Sequence, residues 1–205
     1  MSERGLVLGV GNILWADEGF GVRCVEAFEQ RFESMEDLTV ADGGTQGLYL
    51  VELLREHNPV VIFDAVDFGD APGTLRTVRD RDIPAFVGAH KMSLHQAGLQ
   101  DVIACARLLG NCAEQMLLVG VQPVELEDYG GSLRAQVRAA IEPALDIAAA
   151  YLAEHGVPLL ARTGTGPGEV ITPGLALASY ETGRPGASQA CRHGDARVLN
   201  RGTGR

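Results

Sequence analysis

The chain has 205 residues, 46% of them hydrophobic and 21% charged, which suits one domain with a sizeable buried core. Its formal net charge of -10 disfavours a nucleic-acid backbone or an anionic membrane as partner, because both would repel the surface. The N-terminal apolar run is too short for a signal peptide, no stretch approaches a membrane span, and Cys24, Cys105, Cys112 and Cys191 form no Cys-x-x-Cys pair. A cytoplasmic protein with reduced thiols is expected.

Leu6–Val10 reads as a first strand, and Val22, Val25, Phe28 and Phe32 recur at helical spacing as a first helix. A short second strand, Leu38–Ala41, runs into Asp42-Gly43-Gly44, and a second helix covers Leu48–Leu54. Val60–Phe63 is apolar throughout, as a strand buried on both faces should be, and ends at Asp64. An extra edge strand is expected within Gly73–Val78. Ser93 and Gln96 have the spacing of a capping box, so a helix should begin at or just before His95. Met116–Val121 is a further buried strand, and Leu133–Leu152 a long helix that Pro143 kinks or breaks. The alternation of apolar runs with amphipathic stretches is the pattern of βαβ units, hence an α/β fold around a mainly parallel sheet. Past Arg162 glycine and proline crowd the chain, which gives a division into an α/β domain over 1–158 and a flexible tail over 159–205.

In such a sheet ligands bind beyond the carboxyl ends of the strands, so candidate chemistry belongs there. Gly9-Val10-Gly11-Asn12 invites a dinucleotide reading, but Leu14 stands where the third glycine belongs, and Asp17 and Glu18 would place anions beside a pyrophosphate. Asp17 reads as a helix cap. Glu18 after strand one, Asp64 after strand three and His95 in a later helix's first turn make an oxygen, oxygen, nitrogen set. Such a set can hold a divalent transition ion with positions left open. The plainer reading of each is a turn former, a cap or a satisfied histidine. Asp42 reads equally well as a second carboxylate or general base near that site and as an Asx turn followed by two glycines. His90-Lys91 could contact a substrate carboxylate, but it reads more simply as a solvated pair. No Gly-x-Ser-x-Gly elbow or Cys/His motif is present, which disfavours a protein nucleophile.

The run from Gly9 to Arg23, GVGNILWADEGFGVR, resembles the N-terminal signature of hydrogenase maturation endopeptidases. Asp42-Gly-Gly-Thr, Phe63-Asp64-Ala65, Ser93-Leu-His95-Gln-Ala-Gly-Leu and Leu118-Val-Gly-Val-Gln-Pro123 resemble that family's later motifs, in order, so the likeness covers about residues 5 to 155. It implies a three-layer fold, a twisted, mainly parallel sheet flanked by helices on both faces. It implies that Glu18, Asp64 and His95 bind metal, with Asp42 as a helper. The activity implied is removal of a C-terminal extension from the large-subunit precursor of a nickel-iron hydrogenase after nickel insertion. The nickel would arrive with the precursor, and other divalent ions would also fit. Two competing readings are a nickel-sensing chaperone that binds the same precursor without cutting it and a nucleotide-binding α/β module.

Overall fold

The computed structural model describes residues 4–33, 35–83, 97–163 and 171–184. Five strands form one sheet: β1 (Gly5–Val10), β2 (Leu38–Gly44), β3 (Val60–Ala65), β4 (Leu75–Arg79) and β5 (Met116–Val121), in the order β2-β1-β3-β5-β4. β2, β1, β3 and β5 are mutually parallel, and β4 closes one edge antiparallel to β5. α1 (Phe20–Arg31), α2 (Val51–Glu56), α3 (Ala97–Leu109), α4 (Ala135–Ala139), α5 (Ile141–Glu154) and α6 (Leu177–Gly183) accompany the sheet, with short 3-10 turns at Ala16–Gly19 and Gly47–Leu50.

The central strands are uniformly apolar because side chains alternate between two buried faces. Val7, Val61, Phe63, Leu117 and Val119 join Phe20, Cys24, Val25 and Phe28 of α1 and Ala144, Leu145, Ala148 and Leu152 of α5 in one core. Leu6, Leu8, Val60, Ile62 and Leu118 join Leu54 of α2 and Leu99, Val102, Ile103 and Ala106 of α3 in the other. This is the expected three-layer α/β architecture. No helix among the described residues is long and apolar enough to cross a membrane.

Two expectations need correction. β3 continues through Asp64 to Ala65, so Asp64 is a strand residue rather than the one after a strand. The long helix expected over Leu133–Leu152 is two helices that meet at Ala140, and the break falls before Pro143 instead of at it. A proline ring clashes with the carbonyl four residues back, here that of Ala139, where α4 ends. Within the first turn of α5 the missing N–H of Pro143 has no intrahelical partner to lose.

Candidate functional site

The chain leaves β1 through α1 to reach β2 on one side, then returns through α2 to β3 on the other side of β1. Strand order therefore reverses between β1 and β3, and the carboxyl ends of these two strands flank the crevice where α/β sheets bind ligands. Glu18 lies on the 3-10 turn that follows β1, and this turn packs against β3. Asp64 lies near the end of β3, on the face shared with Val60 and Ile62. Both carboxylate residues are buried, at 7% and 1% exposure. Asp42 lies within the neighbouring strand, level with Gly9, because β2 runs on past Ala41 to Gly44 rather than stopping before Asp42. His95 lies outside the described residues, as do His90, Lys91 and the expected capping box. It precedes the first residue of α3 by two positions. That helix rises about 20 Å over its 13 residues and ends shortly before the amino end of β5, so its start belongs to the same sheet edge as Asp64.

The glycines of the β1 loop serve close packing. Gly11 has φ of 129°, and a Cβ there would stand 1.9 Å from the Glu18 carbonyl oxygen. Only a glycine lets the 3-10 turn fold back this far, so Gly11 seats Glu18.

Asp17 does not cap its own turn or α1; neither carries a side-chain cap. Its fully buried carboxylate instead accepts the N–H groups of Val124 and Glu125, each at 2.9 Å, and of Arg134 at 2.7 Å. It thereby ties the Glu18 turn to the loop after β5 and to Arg134, the residue just before α4. The requirement was invisible in sequence because the partners lie more than 100 residues away. Gln122 acts similarly behind Asp64: its Oε1 accepts the N–H groups of Phe68 and Asp70, at 2.7 and 3.1 Å, and its amide donates to Asp67. This shapes the loop that leaves β3. Asp64 Oδ1 accepts the Ala65 N–H at 2.8 Å.

Asp42 makes the Asx turn that was one of its two readings, accepting the Gly44 N–H at 2.8 Å. Burial pushes its carboxyl above the ordinary aspartate value of 3.8, against the opposing pull of the Gly44 N–H and the Arg23 charge. The folded state then holds this proton more tightly than the unfolded chain. Its contribution to stability is greatest below the ordinary value and falls as pH rises through the raised one. Asp42→Asn should accordingly raise the melting temperature relative to wild type at pH 7, with the gain shrinking as pH falls toward 4. Thermal unfolding at several pH values checks this; a gain that is absent or independent of pH would contradict it.

Part of the stretch expected to be a flexible tail is seated on the domain. The Arg162 N–H donates to the Arg31 carbonyl, and the Glu33 N–H to that of Leu160. Arg23 and Glu26 of α1 form a buried pair at 2.9 Å. Arg23 donates to the Leu175 carbonyl at 2.6 Å and lies under the Tyr180 ring, while Glu26 accepts the Leu177 N–H at the start of α6. Glu181 accepts from Ser132 at 2.6 Å and pairs with Arg138. These attachments are polar, which is why a reading built on hydropathy and Gly/Pro content missed them.

Among the described residues no three His, Cys, Asp or Glu side chains come together as a metal-ligand group. Glu18 and Asp64 bring carboxylate oxygens, which are hard donors of the kind a divalent ion takes, to the elements that flank the strand-order reversal. A family model described as hydrogenase maturation protease, HycI, matches residues 22–151. The hydrogenase expression/formation protein HupM of Azotobacter chroococcum mcd 1 is 55% identical over 195 residues, 95% of this chain and 92% of its own length. The hydrogenase 2 maturation protease of Escherichia coli (strain K12) is 44% identical over 160 residues, 78% of this chain and 96% of its own. Among solved structures, the hydrogenase maturating endopeptidase HybD from E. coli matches with a TM-score of 0.73 at 43% identity, over 78% of this chain and 98% of that one.

Proposed function

Since this chain belongs to the hydrogenase maturation protease family, a family of peptide-bond hydrolases, we propose that it removes the C-terminal extension of a nickel-iron hydrogenase large-subunit precursor once nickel has been inserted. The observation that carries this reading is the placement of Glu18 and Asp64, two buried carboxylates on either side of the strand-order reversal, with the start of α3 at the same edge.

Glu18, Asp64 and His95 are the residues that would engage the precursor's nickel, which is part of the substrate. A divalent ion so held acts as a Lewis acid toward a carbonyl and makes water a better nucleophile at neutral pH. The chain's own part is recognition, orientation and proton handling. The buried carboxylates select a precursor whose metal is already in place, because an unmatched anionic pocket repels an empty, electron-rich ligand set. Asp42, whose burial makes it a stronger proton acceptor than an ordinary aspartate, takes the proton from the attacking water and passes it to the departing amine. The site then needs no serine or cysteine nucleophile.

If nickel is the recognised feature, affinity must depend on it. Immobilised precursor should bind this protein at least about tenfold more tightly with nickel than without, a difference of roughly 1.4 kcal/mol. Equal affinity for the two forms would remove nickel from recognition.

A further inference from the structure

The two edges of the sheet are treated differently. β4, at one edge, carries Arg76 and Arg79 within five residues, paired to Asp70 at 2.5 Å and Glu154 at 3.4 Å. Charged side chains of this kind are the usual guard against a further strand adding to a sheet. β2, at the other edge, is the longest strand at seven residues and has no lysine, arginine or proline; Thr39, Val40 and Ala41 are half-buried.

The phase of the β1–β2 ladder shows which main-chain groups face outward. The Gly5 N–H donates to the Asp37 carbonyl at 2.8 Å, and the Leu6 N–H donates the other way, to Pro59 beside β3. In a parallel ladder such groups alternate sides. With Gly5, Val7 and Gly9 bonded toward β2, the register of Val7 with Val40 and of Gly9 with Asp42 turns the N–H and C=O groups of Thr39 and Ala41 toward β1. Those of Val40, and the N–H of Asp42 just before the register shift that pairs Val10 with Gly44, point away from the sheet. No hydrogen bond from them to any other main-chain group occurs among the described residues. The result is a pair of outward main-chain stations, spaced two residues apart as an added strand requires, and the second belongs to Asp42 at the candidate site.

We propose that β2 is the docking strand for the precursor's C-terminal extension, which adds to the sheet antiparallel to β2 and is held through the main-chain groups of Val40 and Asp42. Antiparallel addition places the first residues of the extension beside Asp42, and the bond to be cut lies just beyond the end of β2, toward Glu18 and Asp64. Recognition by strand addition reads backbone more than side chain, so it tolerates variation in the extension's sequence while requiring that it be extended and unfolded. This rests on the processing reaction proposed above.

Val40→Pro tests it. The substitution deletes the outward N–H and leaves the bonds from Thr39 and Ala41 to β1 intact, as proline at an edge position does. With full-length, nickel-loaded precursor, Val40→Pro should raise KM roughly tenfold with kcat little changed, the signature of lost uniform binding. Val40→Ala, which shortens the side chain and keeps the N–H, should leave KM within about twofold of wild type. A proline scan of the extension from its third residue onward gives a second readout that needs no enzyme variant and holds even if Val40→Pro does not fold. KM should rise at alternate positions only, since only every second amide of an added strand faces β2. Wild-type cleavage with unchanged KM in a folded Val40→Pro, or a proline scan without alternation, overturns strand addition and leaves the processing reaction standing. Failure of wild type to cut the unmodified precursor overturns both.

Discussion

Glu18→Gln is expected to cripple processing of the nickel-loaded precursor, with a rate about a hundredfold or more below wild type, while the protein stays folded. Losing a charged group that acts directly on the reacting centre or its metal commonly removes a factor of roughly 10²–10⁴. Glutamine fills the same volume, so the packing of the 3-10 turn against β3 has no reason to change. The turn is held by the three N–H groups on Asp17 and by its close approach to Gly11, neither of which involves the Glu18 side chain. Asp64→Asn and His95→Gln should behave alike if the three residues act on one ion. Three losses of similar size that do not multiply when combined are the mark of groups that act as a unit. Near-wild-type processing by any two of the single variants, with unchanged thermal unfolding, would dissolve the shared site.

The second large effect concerns the fold beneath the site. A Cβ on Gly21 would stand 2.2 Å from the Phe63 carbonyl oxygen, 2.3 Å from that of Val10 and 2.7 Å from the Val10 nitrogen. All three are main-chain atoms of β1 and β3, held by ladders on both sides, so none can yield alone. Gly21→Ala therefore has to lift α1 off the sheet and loosen Phe20, Cys24, Val25 and Phe28 from their core. Overpacking against atoms that cannot move reaches or exceeds the upper end of the usual range, about 3 kcal/mol or more. That is a large share of a net stability of roughly 5–15 kcal/mol. Gly47 makes the comparison: its φ is 55° and nothing lies within 4 Å of a Cβ there. Gly47→Ala should cost only about 1 kcal/mol, the conformational penalty by itself. Urea unfolding of the two variants separates contact from strain, and similar losses in both would mean that α1 does not sit on β1 and β3 as closely as described.

The order and type of the main elements could be read from the sequence because buried parallel strands leave an unmistakable mark, as in Val60–Phe63 and Met116–Val121. Asp42 and Asp64 could be placed toward the carboxyl ends of their strands for the same reason, since each closes an apolar run. Long-range polar contacts were not legible. Asp17 looked like a cap because its partners, Val124, Glu125 and Arg134, are distant in sequence. The attachment of residues 171–184 through Arg23, Glu26 and Glu181 leaves no periodic signal at all. In the sequence Pro143 signals a kink or a break, whereas its steric demand acts one turn earlier, at Ala139. The direction of the outward groups of β2 depends on ladder phase, which no composition or periodicity encodes.

The reaction itself is tested most directly by intact-mass spectrometry of a nickel-loaded large-subunit precursor incubated with this protein, alongside metal-free precursor and the Glu18→Gln variant. Loss of one C-terminal peptide is expected from the nickel-loaded precursor alone, and only with wild type. Stable binding without any loss of mass would contradict it and mark this chain as a chaperone of the precursor; cleavage of the metal-free precursor at an equal rate would contradict the role given to nickel.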